Sequence, residues 1–277
     1  MQNFIQELIN YQKDKFLVEK AYRNIFHRRI NWHQPTTFNE KINVYKISPE
    51  IEKLWLYTDK LAVRRYVTKT VGAQILNQVF GVYRNPETIN FKALPDKFVL
   101  KTTHGSNWNI VCKNKTELNW HLAKQQLKVL LATNYYSLFQ ERQYKLIRPK
   151  IMCEKYLEDK QGNLTDYKFF CFHGRPRFIQ VDIDRHTRHR RNFYTPEWKK
   201  IYFSHIYRST TKIITPPRDL KKMLAIAKKL SAKFRHVRVD LYNFDRKIYF
   251  GELTLTHGSG LHPFQPQRYD HIIGQYL

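Results

Sequence analysis

Three observations predict an α+β protein: a helical N-terminal third, a change to short strands from Gln74 onward, and a late strand pair with one polar and one apolar face. In that pair, Arg238, Asp240 and Tyr242 alternate with Val237, Val239 and Leu241, and Glu252, Thr254 and Thr256 alternate with Leu253 and Leu255. Period-two alternation is the mark of a half-buried strand. Asn243 to Lys247 supplies the turn, since Asn and Asp tolerate turn backbone well.

In chain order, residues 1 to about 30 read as a helix carrying Phe16, Ala21, Tyr22, Ile25 and Phe26, closed by His27-Arg28-Arg29 where the helix dipole favours cations. Thr37 and Glu40 stand at capping-box spacing for a second helix, and a third follows Thr58-Asp59 and stops at Gly72. Phe98 to Leu100 is a strand, Lys101 to Asn107 a polar loop containing Gly105, and Trp108 to Lys113 a returning strand. Thr116 to Leu131 has a leucine stripe at helical spacing. Ile151 to Cys153 begins a strand that leaves through Glu154-Lys155-Tyr156-Leu157-Glu158. A hairpin over 166–172 and 177–181 turns at His173-Gly174-Arg175-Pro176. The basic run Arg185 to Arg191 reads as a loop, and Pro216 to Asp219 cap a helix over 220–234 that feeds the late strand pair.

At 277 residues the chain can bury a sizeable core, and 42% hydrophobic and 15% aromatic residues argue for a folded protein. A net charge of +26 must attract polyanions. Nucleic acid, an anionic membrane surface, and an acidic substrate used with a nucleotide all satisfy it. Against nucleic acid stands the absence of a helix-turn-helix, zinc-finger or RNP signature, with the aromatic residues in core positions. Cys112, Cys153 and Cys171 are odd in number and widely spaced, which predicts free thiols in a reducing cytoplasm. No run of 18 apolar residues occurs and the first residues lack a signal-peptide pattern. The expectation is a soluble, cytoplasmic protein, with peripheral contact at the inner membrane face as an option. The twelve histidines form no H-E-x-x-H pair and no G-x-S-x-G elbow is present, which argues against a zinc site and a serine hydrolase.

Three stretches can carry chemistry. Lys101 ends an apolar strand just before Gly105 and Ser106, so its ammonium and the loop amides could meet phosphate oxygens; an exposed lysine beside an ordinary turn fits equally well. Glu154 to Glu158 could line an adenine, or be a plain surface segment. Arg238, Asp240, Glu252 and Thr254 could share a sheet face as a magnesium-phosphate site, or simply face solvent.

Taken in order, these pieces resemble the ATP-grasp superfamily, and more closely its TupA-like branch, associated with teichuronopeptide, capsule and other surface-polysaccharide biosynthesis. The resemblance rests on P-T-T-F-N-E-K-I (35–42), D-K-L-A-V-R-R-Y-V (59–67), L-P-D-K-F-V-L-K-T-T-H-G-S (94–106), D-Y-K-F-F-C-F-H-G (166–174) and G-E-L-T (251–254). The E-K-Y-L segment also resembles the hinge of D-alanine:D-alanine ligases. Two departures stand out: Asn107 occupies the place of an expected second glycine, and Thr254 replaces the Asn usual in the wider superfamily.

The resemblance implies two α+β lobes with mainly antiparallel sheets sandwiching ATP: a helical region over 1–73, a small lobe with the phosphate loop over 74–157, and a metal-bearing lobe over 158–277. It further implies ATP and Mg2+ as cofactors. Catalytic roles fall to Arg238, Lys101, His104 and Ser106, and ATP contacts to Lys101, Gly105, Ser106, Glu154, Tyr156, Leu157, Glu158 and Lys168. Asp240, Glu252 and Thr254 would hold the metal, and Lys168, Asp182, Arg185 and Arg188 the acceptor. The implied activity is a carboxylate-amine ligase working through an acyl phosphate on an acidic glycan or amino acid. Two alternatives share these residues: a glycan kinase on the same fold, and a basic polyanion-binding module with a degenerate ATP site.

Overall fold

The computed structural model describes residues 2–159, 164–183 and 188–277. Its helices are α1 (Gln2–Phe26), α2 (Phe38–Lys46), α3 (Pro49–Glu52), α4 (Trp55–Thr58), α5 (Val63–Val71), α6 (Trp120–Ala132), α7 (Tyr135–Phe139), α8 (Leu220–Ser231) and α9 (Arg268–Gly274). Local chemistry sets their ends. Helix α1 stops four residues before the expected end, and the next residue, His27, turns to φ 54°. Thr37 and Glu40 form the full reciprocal capping box that starts α2. The Asp59 carboxylate accepts the amides of Leu61 and Ala62 at 2.8 and 3.1 Å, which holds a turn there and delays α5 to Val63. Asn119 caps α6 in the same way, so that helix starts at Trp120 and not at Thr116.

The strands are β1 (Val79–Tyr83), β2 (Phe98–Thr102), β3 (Asn109–Cys112), β4 (Ile151–Lys155), β5 (Asp166–Phe172), β6 (Arg175–Ile183), β7 (Arg190–Tyr194), β8 (Lys200–Ile201), β9 (Ser204–His205), β10 (His236–Phe244), β11 (Lys247–Thr254) and β12 (Phe264–Gln265). They build a four-stranded sheet in the order β1-β4-β2-β3, a six-stranded sheet in the order β11-β10-β5-β6-β7-β8, and a small β12-β9 pair. Every strand pairing among the described residues is antiparallel. Two hairpins turn on positive φ at His173-Gly174 and at Asp245-Arg246, the backbone that matches strand twist. The basic run is not all loop: Arg190 and Arg191 open β7, because there they pair with Ile183 and Asp182 of β6.

One face of the six-stranded sheet packs on α5 and α8 through residues such as Phe169, Val181, Val239, Val67 and Leu230. The opposite face is covered at one end by Phe38 and Ile42 of α2, Phe264 and Ile273, which enclose Phe170, Phe172, Phe178 and Phe193. Helices α2 and α5 therefore share cores with the large sheet. The four-stranded sheet packs separately on α6 through Phe98, Leu100, Leu127 and Cys153. Cys112, Cys153 and Cys171 are free and buried.

Candidate active site

Where the aromatic cover ends, the same face of the large sheet becomes polar. Arg238 is the centre: Nε donates to Asp240 Oδ1 at 2.7 Å, and Nη2 to Asp240 Oδ2 at 2.6 Å and Glu252 Oε1 at 2.9 Å. Its Nη1 meets His257 Nδ1 at 2.7 Å. Asp240 and Glu252 are direct cross-strand partners despite a bulge between Asp240 and Leu241. Gly251 permits that approach, since a Cβ there would lie 3.1 Å from the Asp240 carbonyl oxygen and 3.4 Å from its Cβ. Thr254 adds a hydroxyl, donating to Glu252 Oε1 at 3.1 Å.

The row continues on β5 and β6. Lys168, opposite Asp240, reaches the Asp166 carboxylate, Asp240 at 3.4 Å and Asp182 at 3.7 Å. Arg191 clamps Asp182 through Nε at 2.6 Å and Nη2 at 3.1 Å, and Gln180 donates to it at 2.9 Å. Burial works against ionising Asp182 and Asp240, but the facing cations outweigh it, and both carboxyls titrate below their ordinary range. Burial alone would likewise lower the Arg238 pKa, whereas Asp240 and Glu252 push it above the usual value. Asp182, Asp240 and Arg238 are thus held charged, with buried charges paired as their desolvation demands.

The opposing side comes from the four-stranded sheet and the segment before α5. Lys101 donates to Glu154 at 2.7 Å, and Arg64 pairs with the other oxygen of that carboxylate at 3.4 Å. Lys60 donates to the Gly105 carbonyl. Burial pushes the Lys60 ammonium down to about 8, with Glu252 drawing it up and Lys101 drawing it down, so this lysine feels both sides of the site. Gly105 has no room for a side chain, since a Cβ there would meet the Trp108 ring at 2.3 Å. Asn107 adopts φ 59°, the left-handed backbone for which glycine is the default and asparagine a tolerated substitute; this accounts for the expected second glycine. Ser106 shares a hydrogen bond with Tyr135, Tyr135 with Glu141, and Glu141 accepts from Thr256, so the glycine loop is tied to the exit of β11.

Most of the sequence-predicted residues meet here: Lys101, Gly105, Ser106 and Glu154 on one side, and Arg238, Asp240, Glu252, Thr254, Lys168 and Asp182 on the other. His104 does not turn toward them. It is buried, with Nε2 3.2 Å from the Leu130 carbonyl of α6, and burial lowers its pKa. Glu158 pairs with Lys97 at the surface, and Tyr156 and Leu157 are half-buried beside it. Arg188 is exposed, and Arg185 lies outside the described residues. Sequence reasoning missed Lys60, Arg64, Arg191 and His257. For Lys60 the signal was present, since it directly follows Asp59 in one of the quoted segments; for Arg191 it was the alternation of Arg191 with Asn192 and Phe193.

The donor chemistry suits a hard dication with phosphate. Two carboxylates and a hydroxyl are hard oxygen ligands, and the Arg238 guanidinium between the carboxylates shows that the pair is arranged around positive charge. Asp240 is buried, whereas the Glu252 side chain is 39% exposed.

The sequence matches the family described as TupA-like ATPgrasp over residues 40–277. No curated protein matches. Similar solved structures include D-alanine-D-alanine ligase from Helicobacter pylori, at 15% identity over 80% of this chain and 61% of that one, TM-score 0.42. N5-carboxyaminoimidazole synthase from Aspergillus clavatus is similar at 11% identity over 76% and 46%, TM-score 0.43. The ATP-grasp ligase PsnB is similar at 12% over 79% and 58%, TM-score 0.40. The chain thus spans 46–61% of the length of these three proteins. With 238 of its 277 residues matched, the chain belongs to the TupA-like ATPgrasp family.

Proposed function

We propose that the chain is an ATP-dependent carboxylate-amine ligase that forms an amide on an acidic sugar or amino acid during assembly of a bacterial surface polysaccharide. The supporting observation is Arg238 spanning Asp240 and Glu252 on one side of a cleft whose other side carries Lys101, Lys60 and the Gly105 loop.

Asp240 and Glu252, with Thr254 beside them, would hold Mg2+, which supplies charge neutralisation on the transferring phosphate. Lys101 and Lys60 bind phosphate oxygens, while the amides at Gly105 and Ser106 approach them closely because no side chain intervenes. The segment from Glu154 through Tyr156, Leu157 and Glu158 lines the nucleotide base. A substrate carboxylate oxygen attacks the γ-phosphorus as the bond to ADP breaks, and Arg238 stabilises the charge that develops there. The amine then attacks the acyl carbon, phosphate leaves with the bonding pair, and the amine proton is released. Lys168, Asp182 and Arg188 serve the acceptor, with Arg191 orienting Asp182. Within this reading the enzyme works in the cytoplasm on substrates whose acidity suits a net charge of +26.

Release of ADP and phosphate should require both an acid and an amine, and mass spectrometry of the product should show an amide. Glu252→Gln is the cleaner test variant, because Glu252 is partly exposed and its loss spares the buried Arg238–Asp240 pair. We expect turnover to fall about 100- to 1,000-fold, the scale of removing one preorganised electrostatic contact. Undiminished turnover would sink the metal assignment, and a stable phosphate ester as product would replace the ligase with a kinase.

A further inference from the structure

Helix α1 holds its carboxylates in pairs and leaves most of its cations free at the surface. Its carboxylates turn inward or sideways: Asp14 accepts from Tyr136 at 2.8 Å and from Arg142 at 2.9 Å, Glu19 from Trp32 at 2.9 Å, and Glu7 pairs with Lys145 at 3.3 Å. Of its cations Lys13, Lys20 and Arg23 are exposed, whereas Lys15 lies half-buried over the Trp32 ring. Beside them runs an exposed apolar stripe: Ile5, Leu8, Ile9 and Phe16, each 50–68% exposed. Positions i, i+3, i+4 and i+11 fall on one helical face, with Lys13 and Lys20 four residues beyond Ile9 and Phe16 on its flank.

An exposed apolar stripe bordered by cations has the chemistry of a helix lying in a lipid interface. The remainder of the protein reinforces the sign, at a net +26. A second copy of the chain is the poorer occupant, because it would carry the same net +26 and be repelled. No described helix is long and apolar enough to cross a membrane, so the contact is with the surface. We propose that this face of α1 binds an anionic bilayer, with Ile5, Leu8, Ile9 and Phe16 entering the headgroup boundary and Lys13, Lys20 and Arg23 resting against lipid phosphates. Such binding would hold the cleft near lipid-linked acidic glycans, although the proposal stands or falls independently of the ligase reading.

The test is flotation of the full chain with vesicles of phosphatidylcholine alone or mixed with phosphatidylglycerol. The wild-type protein should float only with the mixed vesicles, and less so as salt is raised. The double variant Ile9→Glu/Phe16→Glu should lose at least about tenfold in partitioning, as expected for two buried apolar side chains. Replacing Lys13, Lys20 and Arg23 by Gln should cost about a hundredfold. Because all five positions are exposed, thermal unfolding followed by circular dichroism should be unchanged, which separates lost binding from lost fold. Absence of flotation in the wild-type protein, or unchanged flotation in either variant, overturns the proposal. So does sedimentation showing a wild-type dimer that the apolar double variant dissociates.

Discussion

One face of the six-stranded sheet has two halves made by the same strands two residues apart. On β5, Lys168 gives way to Phe170 and Phe172; on β6, Asp182 and Gln180 to Phe178; on β7, Arg191 to Phe193; and on β10, Asp240 and Arg238 to His236. Backbone pairing and register continue across the boundary. What differs is the cover: α2, Phe264 and Ile273 close the aromatic half, whereas in the polar half Glu252 stays partly exposed within electrostatic reach of Lys60. The contrast separates two uses of burial. The aromatic half turns burial into stability, and the polar half uses it to hold charges paired in fixed directions at a cost in desolvation.

That division predicts opposite phenotypes for mutations on adjacent rungs. Phe172 is 1% exposed and packs on Phe38, Phe178, His236 and Tyr276. Phe172→Ala should cost about 3–5 kcal/mol of stability, the usual scale for a fully buried Phe, and lower the denaturant midpoint while leaving nucleotide affinity intact in the folded fraction. Arg238→Lys should do the reverse. It keeps one charge but loses the fork that engages Asp240 and Glu252 together, so turnover should fall about 100- to 1,000-fold, with a smaller change in the unfolding midpoint than Phe172→Ala produces. If Phe172→Ala abolished nucleotide binding while still folded, or Arg238→Lys proved the more destabilising of the two, the two halves would not be functionally distinct.

Period-two alternation made the strands legible, and with them the fact that Arg238, Asp240, Glu252 and Thr254 share a face. It could not tell the polar half of that face from a solvated surface, because alternation reports which side a residue points to and nothing of what lies opposite. Order along the chain pointed further than alternation, since the Lys101 loop and the Glu154 segment precede the hairpin in the order that the ATP-grasp resemblance implies. The parts that stayed hidden depend on distant residues. Lys60 becomes a site residue only because its segment folds back on Gly105, 45 residues later. His257 joins the site through Arg238, and His104 turns to the Leu130 carbonyl of α6, which its place next to Gly105 does not disclose.

Acid titration offers a finer way to separate the halves. His236 belongs to the aromatic half, is fully buried among Phe38, Phe170 and Phe172, and hydrogen-bonds to the Cys171 carbonyl at 3.2 Å. Burial, aided by Arg238, pushes its pKa down to about 3, against an ordinary value of 6.5. Folding therefore holds it neutral where the unfolded chain binds a proton, so its contribution is fully present above pH 6.5 and is lost as pH falls toward 3. By pH 5 the loss should be about 2 kcal/mol. The carboxylates of the polar half respond lower on the scale: Asp240 and Asp182 are depressed below the carboxylate range, so their stabilisation persists until pH drops below the ordinary Asp value of about 3.9. His205 and His257, also held neutral by burial, add to the His236 window. His236→Phe removes one of these titrations without adding charge. Measured by urea unfolding between pH 6 and pH 4, its stability should fall less steeply than the wild type's, by up to about 1.4 kcal/mol per pH unit, the slope of one proton. An unchanged slope would mean that the acid sensitivity in this window lies with the site at the polar end.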